Sequence, residues 1–76
     1  MPYIRIKAYP KDKAIKQKVA EAIYKVFMDN WGCRPDHVSI SFEEVAPEDW
    51  DTQVEQAEIL PMKDKMFILN GERLVK

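Results

Sequence analysis

The sequence is poor in the groups that usually staple a small protein together. Its single cysteine, Cys33, excludes an internal disulfide. One cysteine and one histidine, His37, are too few for an ordinary structural zinc site, so no metal is expected. No apolar run is long enough to cross a bilayer as a helix. The chain starts with strand-like, charged residues and not with a signal peptide, so a soluble cytoplasmic protein without a membrane partner is expected. Net charge is scarce too: 12 basic residues face 13 acidic ones, interspersed, for a formal −1. That leaves no basic stripe of the kind a nucleic-acid module carries.

What remains is a short chain with ample apolar material. Its 76 residues form one domain near the lower limit of independent folding, spanning 1–76. A domain of this size buries only about 60% of its unfolded surface. Disulfides, metals and oligomerisation are the usual remedies, and composition has removed the first two. With 46% apolar residues, a homo-oligomer is expected, a dimer first and a hexamer second.

Periodicity organises the chain as β-α-β-α followed by a hairpin. From Pro2 to Tyr9, residues Ile4, Ile6 and Ala8 alternate with Tyr3, Arg5 and Lys7, which predicts a half-buried strand. Pro10 ends it, and Asp12 can cap a helix. Ile15, Val19, Ala22, Ile23, Val26 and Phe27 then recur at helical spacing as one apolar stripe. Gly32 suits a left-handed C-terminal cap, and Pro35 prevents resumption. "HVSISFEEV" alternates again, with Val38, Ile40 and Phe42 on one face. "APEDW" opens a second helix, with Pro47 in a first turn and Trp50, Val54 and Ala57 at helical spacing before Pro61 bounds it. "MFILNGERLVK" reads as strand, Asn70-Gly71 turn, strand. A long helix between the first two strands predicts a parallel pair with a right-handed crossover, an α+β fold. One sheet face takes the helix, and the other is polar, either solvated or packed on another subunit.

The second residue raises the chemical question. Once Met1 is removed, Pro2 is a secondary amine at the start of a strand. A general base works best with a pKa near the working pH. An α-amino group starts near 8, and burial or neighbouring cations push an amine downward. Arg5, Lys7, Lys11 and Arg34 are the candidate cations. With Met1 retained, the same nitrogen is an amide and has no basic lone pair.

Taken together, "PYIRIKAYP", "VAEAI" within the long helix and "VSISFEEVAPEDW" resemble the tautomerase superfamily, the 4-oxalocrotonate tautomerase-like proteins, over roughly residues 2–60. "PEDW" followed by "AEILP" and a longer tail looks most like the dimeric branch, which includes bacterial proteins that tautomerise phenylpyruvate enol. The resemblance implies the β-α-β fold and a cofactor-free isomerase. Its amino-terminal proline, here Pro2, would move a proton between oxygen and carbon of a small 2-oxo acid or enol. It implies an aromatic wall at Trp50. Hexameric members carry a strand arginine where this chain has Ser39, and a loop arginine where it has Lys11. The carboxylate clamp therefore does not carry over. A mono-acid with an aromatic or apolar tail fits better than a dicarboxylate.

Each residue also has a plainer reading. Trp50 suits core packing as well as a substrate wall. Ser39 suits a sheet face or an interface, and Lys11 a solvated loop. His37 reads as a surface residue and Cys33 as a partly buried spectator. Glu43 and Glu44 adjoin on a strand, so they face opposite ways and cannot act as a carboxylate pair. The alternative to an enzyme is a catalytically idle protein of the same fold that binds or scaffolds.

Overall fold

The computed structural model describes residues 1–74. By internal contacts the chain falls into two units, Met1–Val45 and Ala46–Lys76.

The first unit holds strand β1 (Tyr3–Ala8), helix α1 (Lys13–Asn30), a 3-10 turn (Pro35–His37) and strand β2 (Ser39–Glu44). The strands pair in parallel, with Tyr3 opposite Ser39 and Ala8 opposite Glu44, as the long crossover predicts. The period of two sorts their side chains into faces. Arg5↔Ser41 and Lys7↔Glu43 fall on the polar face; Ile4↔Ile40 and Ile6↔Phe42 fall on the other. Cross-strand charge pairing follows, with Glu43 reaching Arg5 at 3.8 Å and Lys7 at 4.0 Å.

Local chemistry sets both ends of α1. The Asp12 side chain accepts the Ile15 N–H at 2.9 Å, which satisfies one of the donors left over in the first turn. At the other end Trp31 donates its N–H to Phe27. Gly32 then takes a φ of +72°, a left-handed conformation that costs glycine least. Phe27 and Trp31, one turn apart, meet with their rings tilted by 57° and their centroids 5.6 Å apart.

The apolar stripe of α1 divides. Ile23 and Phe27 are half-buried, together with Ala20, Tyr24 and Met28, whereas Ile15, Val19, Ala22 and Val26 are exposed. The reason is width. Two strands spaced about 4.8 Å apart are narrower than a helix with its side chains, about 10–12 Å across. One flank of the stripe is left open within the chain. In the whole described structure only Val45 and Val54 fall below a tenth exposed.

The second unit begins with a short helix α2 (Pro47–Trp50), which continues as a π-helix over Asp51–Ile59 and a 3-10 segment over Leu60–Lys65. The Leu60 N–H donates to the Glu55 carbonyl, five residues back. These wider turns change the predicted face. Val54 is buried, Trp50 and Ile59 are half-buried, and Ala57 points out. The expected spacing of 50, 54 and 57 is thus replaced by 50, 54 and 59. Pro61 stands where the π-helix has given way to the 3-10 segment, the boundary read from its missing N–H.

Strands β3 (Ile68–Leu69) and β4 (Glu72–Arg73) form the antiparallel hairpin. Asn70 and Gly71 take φ of +48° and +83°, the paired positive values a tight two-residue turn requires. The Leu74 N–H donates to the Phe67 carbonyl at 2.8 Å, and Asn70 donates through its side-chain amide to Glu55 at 3.2 Å. The expected strand runs on to Val75 and Lys76, which lie outside the described residues.

The cap of α1 is open to a direct test. Asp12→Ala should destabilise the protein by about 1 kcal/mol, within a usual range of roughly 0.5–2. Urea denaturation of both proteins at one concentration checks this, and an unchanged midpoint would show that the cap contributes nothing.

Candidate active site

Pro2 is half-buried at the head of β1. Its carbonyl accepts the Ser39 N–H at 3.2 Å, so the parallel ladder extends one step beyond β1 and ties Pro2 to the start of β2. Met1 projects from this point and is 86% exposed. An aminopeptidase can reach that residue, and its loss removes little packing.

Of the residues singled out in the sequence, the first unit brings Pro2 and Ser39 together. It does not bring Lys11 to them. Lys11 follows β1 at the far end, and six strand residues at about 3.3 Å each separate the two positions by roughly 20 Å. Trp50 closes α2 in the second unit and is half-buried. Three of the candidate cations have acidic neighbours: Arg5 and Lys7 lie beside Glu43, and Arg34 lies 3.1 Å from Asp36. His37 is half-buried, with Asp36 at 4.0 Å. Cys33 is partly buried, and its thiol donates to the Phe27 carbonyl at 3.6 Å.

Glu43 and Glu44 do face opposite ways, and Glu44 carries a role the alternation alone did not suggest. It lies opposite Ala8 on the helix side of the sheet. One of its oxygens, Oε2, accepts the Lys11 backbone N–H at 3.0 Å and the Lys16 ammonium at 3.0 Å. The Lys11 N–H bond, and then Lys16, hold the Glu44 carboxyl below its ordinary range against a smaller opposing effect of burial. The signal was present in the sequence. A carboxylate stands where the run Val38, Ile40, Phe42 calls for another apolar residue, and Lys11 and Lys16 flank the helix start.

Beside this corner an apolar groove of about 290 Å³ opens between sheet and helix. Ile6, Phe42, Ile15 and Val19 line it, and Lys11 and Glu44 stand at its polar rim. The groove runs into the exposed flank of α1.

Comparison with known proteins adds the family. No family model matches the chain. Several curated bacterial proteins named Tautomerase PptA do. The protein from Enterobacter sp. is 35% identical over 69 residues, 88% of this chain and 91% of its own. Those from Cronobacter sakazakii and Pectobacterium atrosepticum are each 32% identical over 68 residues, 87% of this chain and 90% of their own. The chain belongs to the tautomerase superfamily. It is an isomerase of the tautomerase type, and its β-α-β unit and C-terminal hairpin are the architecture expected of such a protein. Among the described residues of this tautomerase, no helix is long and apolar enough to cross a membrane.

The lowered Glu44 carboxyl has a signed consequence. Folding favours the charged form, so its contribution is complete above the ordinary glutamate range. It is lost as pH falls through the depressed folded-state value. Glu44→Gln should therefore cost most near neutral pH, and the gap to the parent should close on acidification. Denaturation midpoints at neutral and acidic pH decide this; a gap that widens in acid contradicts it.

Proposed function

We propose that this protein is a cofactor-free keto–enol tautomerase of the cytoplasm, acting on a small 2-oxo acid or enol with an aromatic or apolar tail. Pro2 is its general base. The observation that carries the reading is the fastening of Pro2 to Ser39 at a strand head, next to an exposed Met1. Removal of Met1 leaves a secondary amine held in place by the ladder. In the neutral form it takes the enol O–H proton, and the same nitrogen delivers a proton to the neighbouring carbon. The double bond shifts from carbon–carbon to carbon–oxygen, and the amine is neutral again. Desolvation in an assembled site lowers the working pKa of the amine below that of a free prolyl nitrogen, because it penalises the charged form.

The same geometry supports an assembly. Lys11 and Pro2 of one chain stand too far apart to hold one small acid. A Lys11 that binds the substrate carboxylate therefore comes from a second copy. The exposed flank of α1 supports such a copy. From Ile15 to Val26 it rises through eleven residue steps, about 17 Å at 1.5 Å per residue. That is too long for a small ligand and suitable for a helix of a neighbour. A homodimer is the smallest assembly that meets the requirement, with a hexamer as the larger variant. The family resemblance implies Trp50 as the apolar wall for the tail, and Ser39 leaves the strand without the arginine that a second carboxylate would need.

The test is chemical. Protein with a verified proline terminus should ketonise phenylpyruvate enol, and protein that retains Met1 should lose the base contribution, typically ~10²–10⁴-fold. Pro2→Ala, which keeps a primary amine, should lose part of the rate and shift the pH profile. Equal rates with and without Met1 would show that the proline nitrogen is idle and leave the non-catalytic reading of the fold.

A further inference from the structure

We infer that Glu44 is the positioning residue for Lys11, fixing the loop between β1 and α1 so that the Lys11 ammonium is presented to an anionic substrate. The inference rests on the proposed role of Lys11 and adds a second residue to it.

The geometry separates the backbone of Lys11 from its charge. Glu44 grips the Lys11 main chain through its N–H at 3.0 Å, and the ammonium that pairs with the carboxylate is that of Lys16, also at 3.0 Å. A carboxylate placed next to a substrate-binding lysine would ordinarily compete for it. Here Lys16, rooted in the first turns of α1, meets that charge, and Glu44 acts on Lys11 through its backbone. Three elements converge on one oxygen: the end of β2, the β1–α1 loop and α1. The Val45 N–H donates to the Ala8 carbonyl at 2.9 Å, so the strand ends on either side of Glu44 are also joined. The loop is short, from Tyr9 to Asp12, and Asp12 is itself committed to capping α1. Between the Ala8 and Asp12 anchors, the Glu44 bond holds the backbone of Lys11. A lysine carries high side-chain entropy, so ordering its backbone lowers the cost of each contact it then makes.

Binding is measured without turnover, using 3-phenylpropionate, an inert aromatic mono-acid, and Met1-processed protein. Lys11→Ala should weaken its Kd roughly tenfold, the size of one charge-assisted hydrogen bond. Glu44→Ala should weaken it by a comparable factor alone and add nothing in a Lys11→Ala background. Glu44→Gln keeps an acceptor for the Lys11 N–H and should retain most of the affinity. In Glu44→Ala the Lys11 amide should also exchange with solvent faster, while amides in the middle of α1 keep their protection. If Lys11→Ala weakens binding and Glu44→Ala does not, the positioning role is wrong and the lysine reading stands. If Lys11→Ala leaves Kd unchanged, the lysine reading falls and the positioning role falls with it. Additive losses in the double variant would likewise overturn the inference.

Discussion

The parallel register of β1 on β2 is the constraint on which the rest depends. Setting Tyr3 opposite Ser39 and Ala8 opposite Glu44 decides which residues meet at each end of the sheet. At one end the ladder reaches past the strand to hold Pro2. At the other it brings Glu44 beneath the loop that carries Lys11. A slip of one residue would turn Ile40 and Phe42 to the polar face and Glu43 into the helix side. The eighteen-residue crossover helix supplies the long connection that a parallel pair requires.

Much of this was legible from the residues, for identifiable reasons. Where a feature is decided by nearest neighbours, the sequence carries it: Asp12 as a cap, Gly32 in a left-handed conformation, Asn70-Gly71 as a turn. Strand alternation was equally clear, because a period of two admits no other face assignment. Two features were not legible. The π-helical turns after Trp50 break the 3.6-residue spacing and exchange Ala57 for Ile59. The division of the α1 stripe depends on how many strands lie beneath it, which is a tertiary fact. Glu44 was partly legible. Its departure from the apolar alternation marked it, but only the closed fold shows which lysine it serves and by which atoms.

The site is economical in charge. One carboxylate is held by one ammonium and one amide, and the polar sheet face pairs Arg5 and Lys7 with Glu43. In the proposed function, without the strand arginine, selectivity would rest on the loop cation Lys11, the apolar wall of Trp50 and the nitrogen of Pro2. That combination suits a substrate with one carboxylate. In that proposed site assembly is part of the chemistry: Pro2 precedes β1 and Lys11 follows it, too far apart to act on one small acid within a single chain.

Mixing two defective chains tests this most directly. One chain retains Met1 and lacks the base; the other carries Lys11→Ala and lacks the cation. Unfolded together and refolded, they should form mixed oligomers in which the sound Pro2 of one chain meets the sound Lys11 of the other. At limiting substrate the mixture should then ketonise phenylpyruvate enol faster than either chain refolded by itself. A mixture with verified hetero-oligomers and no gain in rate would contradict a site shared between copies.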